Sequence, residues 1–299
     1  MLTGLSAFPL TPFTPDGSPD EAGFVRLVER LAAAGVDSIG ALGSTGSYAY
    51  LRADERARLT RLAVEAAAGV PVMVGVGAVA TRDVLAHVDA AQEAGAAAVL
   101  LAPVSYQPLT LDEVLGLYAD VSAASSIPVT VYDNPATTRF AFTDELTAAI
   151  ARLPHVTAVK IPGVPADEEA ATARVARLRA LLPAHVTVGV SGDASAATGL
   201  LAGCDAWFSV VAGVLPGPAL ALTRAARAGD HEAVRAEEER LQPLLALFAR
   251  HGGSLRVVAA LAEHLGLVGP DCLPRPIRGL DLAARAEVAD VADRFRPHG

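Results

Sequence analysis

The chain has 299 residues, 52% of them hydrophobic, which is enough to bury one large core and excludes a disordered or fibrous protein. Its 33 acidic and 24 basic residues leave a net charge of −9 with no basic stripe, and so exclude a nucleic-acid-binding role. Two cysteines, Cys204 and Cys272, make neither a disulfide framework nor a metal motif; the apolar runs stop short of the ~18 residues a membrane span needs, and MLTGLSAFPLTPF lacks a basic, apolar leader, so the protein is expected in the cytoplasm.

From the N-terminus onward, short apolar, β-branched segments alternate with Ala/Leu/Arg-rich stretches of helical spacing. Strands are predicted at 5–10, 37–42, 72–76, 97–102, 129–132, 157–161, 186–190 and 206–210. The first long helix is expected over 20–34, with Ser18 as N-cap, Pro19 at the first position and Glu21 completing a capping box. Further amphipathic stretches lie at 53–68, 82–94, 111–124, 143–153, 167–182 and 194–201. Three helix-to-strand junctions repeat: AAAGVDSI at 32–39, QEAGAAAV at 92–99 and LLAGCDAW at 200–207. Gly35, Gly95 and Gly203 are placed there to end a helix in the left-handed conformation.

A repeated βα unit of this kind predicts a (β/α)8 barrel of the α/β class, with a doubly wound open sheet as the alternative because the seventh helix is short. Beyond Pro216 only helical patterns remain, at 219–228, 231–250, 254–265 and 282–295. No flexible linker precedes them. The expected organisation is a barrel core over 1–215 and C-terminal helices over 216–299, including the last barrel helix, packed on the barrel.

The chemistry centres on one residue: of the 24 basic side chains, the single lysine is Lys160. Arginine serves surface charge and ion pairing equally well, so a retained lysine points to a need for a deprotonatable primary amine. Lys160 ends the strand TAVKI, on the face where βα barrels build active sites, and desolvation there favours the nucleophilic free base. Tyr132 ends the preceding strand and is a candidate proton shuttle for a Schiff base. The turn GSTGS, 43–47, brings backbone N–H groups and hydroxyls to the same face and suits a carboxylate. SGDAS at 191–195 reads as a helix start, capped by Asp193 or Ser191, at the same mouth. The seven histidines, 87, 155, 185, 231, 251, 264 and 298, form no HxH or HExxH cluster, and neither a nucleophile elbow nor a P-loop is present; no metal or cofactor is expected.

With GSTGS, PVSYQP near 103, YDNP at 132, AVKIPG at 158, SGD at 191 and FSVVAGVLP at 208, the chain resembles the dihydrodipicolinate synthase and N-acetylneuraminate lyase family over its full length. The resemblance implies a TIM barrel with a C-terminal helical extension, usually a homotetramer, that binds pyruvate or a related 2-keto acid as a Schiff base and acts with an aldehyde partner. It implies Lys160 as the Schiff-base lysine and Tyr132 as the proton-transferring tyrosine. Ser44, Thr45 and Gly46 fall where the family's turn binds the keto-acid carboxylate and relays protons, with Thr45 a candidate catalytic group, and Phe208 falls where a main-chain group lines the pyruvate pocket.

Three departures bear on the second substrate. Ser47 stands where the family's turn commonly ends in glutamate. Thr137 stands where dihydrodipicolinate synthases carry an arginine for the second substrate's carboxylate, with Arg139 two residues late; it serves only if the turn after Pro135 returns its side chain over the mouth. Val104 and Ser105 replace a tyrosine pair, with Tyr106 one position later, as a substrate-site candidate. These changes predict poor use of aspartate semialdehyde and a relative with another acceptor. Authentic 4-hydroxy-tetrahydrodipicolinate synthase, a keto-deoxy acid dehydratase and a catalytically impaired 2-keto-acid binding protein are the alternatives.

Overall fold

The computed structural model describes residues 3–295. Eight strands, β1 (Gly4–Ala7), β2 (Ser38–Ala41), β3 (Val72–Gly75), β4 (Ala98–Leu101), β5 (Val129–Tyr132), β6 (Val156–Ile161), β7 (Thr187–Val190) and β8 (Ala206–Ser209), close into a barrel in sequence order. All pairs are parallel, and β1 meets β8 through Gly4↔Ala206 to Ala7↔Ser209, which removes the open-sheet alternative. The strands are buried almost throughout because helices cover one face and the barrel interior the other. That double burial is why they read as continuous apolar runs.

The helices around the sheet are α1 (Glu21–Ala34), α2 (Ala53–Ala66), α3 (Thr81–Glu93), α4 (Leu111–Ala124), α5 (Pro135–Thr138), α6 (Asp144–Ala151), α7 (Glu168–Leu181) and α8 (Ala196–Leu201). Then follow α9 (Pro216–Ala228), α10 (His231–Arg250), α11 (Ser254–His264) and α12 (Leu282–Ala292). On α1, Phe24, Leu27, Val28 and Leu31 fall at helical spacing and are buried against the barrel; each fully buried side chain of this size is worth ~1.5–3 kcal/mol. α9 lies against β1 and α8 as the last barrel helix, and α10 to α12 pack on one another beyond it. Among the described residues no helix is long and apolar enough to cross a membrane.

Gly35, Gly95 and Gly203 adopt φ of 75°, 79° and 97°, the left-handed exits that the repeated junctions predict. The start of α1 differs from the expectation. Asp20, not Ser18, is the N-cap, and its Oδ1 accepts from Gly23 N at 2.9 Å. Pro19 stays outside the helix because it bridges Phe13, while the Ser18 carbonyl accepts from Thr14 N. The short helix α5 is not evident in the periodicity; it starts on Pro135 and stops where Arg139 turns left-handed, φ 58°. Another local element, the single turn Tyr48–Tyr50 after GSTGS, begins from Ser47 at φ 52°.

Candidate active site

Lys160 and Tyr132 are Cα partners in the β5/β6 register, so their side chains enter the barrel at one level. The Lys160 amine is buried, with Nζ 3.9 Å from the Phe8 ring centre, 4.0 Å from that of Tyr132 and 5.5 Å from that of Phe208. Two strand glycines make room for these rings. A Cβ on Gly40 would sit 2.4 Å from Phe8 Cζ, and one on Gly189 would sit 2.3 Å from Phe208 Cε2. Gly189 also pairs with Lys160 across β6 and β7, so the side of the amine facing β7 is left to the Phe208 ring.

Burial among these rings lowers the Lys160 amine to about 7, with Asp193 pulling the other way. Near neutrality a large share of the amine is therefore unprotonated and nucleophilic. Asp193 does not cap a helix, as the sequence pattern suggested for it or Ser191. The short turn it begins has Gly192 at its cap with no side-chain bond, and Asp193 Oδ1 instead accepts from Trp207 Nε1 (3.1 Å), Ser209 Oγ (2.8 Å) and Val211 N (3.5 Å). Burial raises its carboxyl to about 6, against the pull of Ser209, Val211, Lys160 and Trp207. Trp207 and Ser209 straddle Phe208 on β8, so one strand carries both a ring beside the amine and the donors that hold Asp193 near it.

Tyr132 is held from the other side. Asn134 Nδ2 donates to the Tyr132 hydroxyl at 2.9 Å, to Thr137 Oγ1 at 3.0 Å and to Ser44 Oγ at 3.3 Å, tying three mouth segments together. Burial pushes the phenol up to about 12, with Ser44 pulling down, so it rests protonated and able to donate. Two members of this network, Ser44 and Thr137, also line a cavity of about 290 Å³, together with Ser47 from the GSTGS turn, Tyr48 just after it, Val104 and Ser105 from the segment after β4, and Thr138 and Arg139 at the end of α5; Tyr132 and Lys160 are not among the lining residues. A space of this size fits a small molecule of a few carbon atoms.

The remaining sequence candidates divide. Ser44 and Thr137 join the Tyr132 network, and Phe208 joins the ring cage. Thr45 is buried in the same turn, but among the described residues no hydrogen bond joins it to Tyr132. Gly46 lies tight against its own turn, where a Cβ would come 3.0 Å from Leu42 Cα. Tyr106 is 88% exposed and does not line the cavity. His298 lies outside the described residues. Sequence reasoning did not single out Phe8, Asn134 or the charge role of Asp193; the only local signals were Gly40 and Gly189, glycines inside strands that mark a close approach.

A closed parallel barrel with a buried lysine amine at its mouth is the architecture of a class I lyase. The comparisons agree: residues 1–294 match the model of the Dihydrodipicolinate synthetase family. The chain is 36% identical over 247 residues to the 4-hydroxy-tetrahydrodipicolinate synthase of Methylococcus capsulatus, covering 82% of each chain. It is 33% identical to a DapA-like lyase of Halobacterium salinarum, covering 95% of this chain and 91% of that one. Among solved structures it resembles a dihydrodipicolinate synthase from Agrobacterium tumefaciens, with a TM-score of 0.94, 44% identity and coverage of 99% and 98%. The chain belongs to the dihydrodipicolinate synthetase family.

Proposed function

We propose that the Lys160 amine forms a Schiff base with the carbonyl of pyruvate or a related 2-keto acid, and that Tyr132 moves the protons of the reaction. The free amine adds to the keto carbon, the carbinolamine oxygen takes a proton and leaves as water, and the protonated imine remains. The Tyr132 phenolate takes a proton from the neighbouring carbon to give an enamine, which adds to the carbonyl carbon of an aldehyde while the phenol returns that proton to the aldehyde oxygen; hydrolysis then returns the lysine. The reverse order cleaves the joined product. Tyr132 supplies the proton that carries water away and retrieves it at hydrolysis, while Ser44, Thr45 and Gly46 offer the turn that takes the keto-acid carboxylate.

The observation that carries this reading is the only lysine of the chain, buried among Phe8, Tyr132 and Phe208 and lowered to about 7. Borohydride reduction with pyruvate is expected to add a stable mass at Lys160, read by peptide mass spectrometry, and Lys160→Arg to abolish it, since guanidinium keeps charge but is no nucleophile. Adduct confined to the N-terminal amine, or none with any 2-keto acid, sinks the mechanism.

The synthase reaction itself is the second reading, favoured by the names of several relatives. Against it, Thr137 offers a hydroxyl already engaged by Asn134 where that reaction needs a cation. In an assay of pyruvate with a panel of aldehydes, aspartate semialdehyde outrunning all others would favour this second reading. The protein is read as cytoplasmic and, by resemblance, as a homo-oligomer, a tetramer; the exposure of Tyr50, which lines the cavity, supports a covering copy there.

A further inference from the structure

Arg56, on α2, is a buried cation without a carboxylate. The residue is 5% exposed and makes no ion pair with any described residue. Its Nη1 donates to the Gly77 carbonyl at 3.0 Å and its Nη2 to that of Gly75 at 2.7 Å, while Nε is buried without a partner. Burial lowers the guanidinium to about 10, and Tyr48 pulls the other way. The centre of the Tyr48 ring lies 5.1 Å from Arg56 Cζ. A buried charge that no anion balances is costly, and the ring face is the compensation that this site supplies.

Tyr48 is complete on its ring and incomplete at its hydroxyl. It is 6% exposed, and among the described residues its hydroxyl has no hydrogen-bond partner, although a buried tyrosine usually finds one. Unlike the sealed hydroxyl of Ser47, this oxygen keeps accessible surface. It stands beside the ends of β3 and β4: a Cβ on Gly77 would come 3.2 Å from it and 3.3 Å from Val104 Cγ2, and Tyr48 and Val104 both line the mouth cavity. Burial raises the phenol and Arg56 pulls it down, so near neutrality it is a donor, and the cation on its ring strengthens the O–H as one. Ser44 and Thr137 line the same cavity and reach Tyr132 through Asn134. A chain that extends from an imine at Lys160 past Tyr132 therefore enters the space that Tyr48 lines.

We propose that Tyr48 determines specificity: its hydroxyl donates a hydrogen bond to a hydroxyl or carbonyl oxygen on the chain of the reacting partner, and Arg56 is the positioning residue that holds the ring. This deepens the Schiff-base reading and rests on it for the reaction, but the donor belongs to the cavity wall whatever the chemistry. A hydroxylated aldehyde, or the hydroxylated 2-keto acid that releases one, is the expected substrate class.

The test compares 4,5-dihydroxy-2-oxopentanoate with 2-oxopentanoate, which has the same carbon chain without the hydroxyls. Calorimetric affinities are measured for the wild type, Tyr48→Phe, Arg56→Gln and Arg56→Lys, with borohydride trapping run in parallel. The wild type is expected to prefer the dihydroxy acid, and Tyr48→Phe, which keeps the ring on Arg56, to lower that ratio roughly five- to tenfold, the size of one hydrogen bond. Arg56→Gln is expected to lower the ratio in part and Arg56→Lys to restore it. Ultraviolet titration, taken as the difference between each protein and the same protein carrying Tyr48→Phe, isolates the Tyr48 phenol, whose midpoint is expected to rise in Arg56→Gln. Should the Arg56 variants fail to fold, the Tyr48→Phe comparison decides alone. No preference in the wild type, or an equal loss of both acids in Tyr48→Phe, overturns the proposal, and an unmoved phenol midpoint overturns the part given to Arg56. A preference lost in Tyr48→Phe without any trapping overturns the Schiff-base reading and leaves the Tyr48 contact standing.

Discussion

At the scale of single residues, the chemistry depends on how far burial moves two protons. Lys160 is lowered to about 7 because rings surround its amine, and Asp193 resists the shift. The rate of pyruvate trapping needs the free base, so it is expected to rise with pH through a midpoint near 7. Asp193 stabilises the ammonium; Asp193→Asn removes that pull, and the midpoint is expected to move to lower pH. A pH profile of the trapping rate reads both, and an unmoved midpoint would show that Asp193 does not act on the amine. Tyr132→Phe keeps the ring against Lys160 and removes only the hydroxyl. Turnover is expected to fall ~100-fold or more, with 2-keto-acid affinity largely kept; unchanged turnover would pass the proton role to Ser44 or Thr45. Lys160 and Tyr132 were legible in the sequence because one is the sole lysine and both end apolar strands. The pattern around Asp193 suggests a helix cap, and the residue has another place because its partners, Trp207, Ser209 and Val211, arrive from the next strand and the turn beyond it.

At the scale of elements, the strands set the spacing of the site. Gly189 on β7 is a strand residue with no side chain because the Phe208 ring fills that place. Gly189→Ala sets a Cβ 2.3 Å from the ring and is expected to destabilise the fold by ~1–3 kcal/mol, the usual range for overpacking a filled core. Denaturant unfolding measures it, and a neutral result would mean that the ring can swing aside. The repeated helix-to-strand turns were legible because a left-handed exit demands glycine locally. The helix α5 was not, since four residues are too few for a periodic pattern; yet it decides where Arg139 goes.

For the whole molecule, the layer between the barrel and its helices, continued where α10 covers α9, makes one buried cluster, and the barrel interior around Phe8, Met73, Leu100 and Phe208 makes a second. Leu241, Leu244 and Val257 on the later helices belong to the same buried cluster as Leu5 and Ile39 in the barrel. The region from 216 onward is therefore proposed to unfold with the barrel. Calorimetry of the full chain is expected to show one cooperative transition, and a chain ending at Gly229 to lose it, because Leu220 and Leu222 of α9 would be left on an uncovered helix. Two separate transitions in the full chain would make the C-terminal helices a domain of their own.

The eight βα repeats, the glycine-ended helices, the sole lysine and the tyrosine one strand before it are readable in the chain alone. Periodicity, turn chemistry and residue uniqueness are local properties, readable without knowing what lies opposite. The cage that Phe8 and Phe208 make around the amine over Gly40 and Gly189, the pull of Asp193 on the lysine, and the place of Arg139 on the cavity exist once the chain is folded. Those relations join residues from distant parts of the chain. Closing the barrel brings them together, and the low dielectric inside it then sets the strength of the charges they carry.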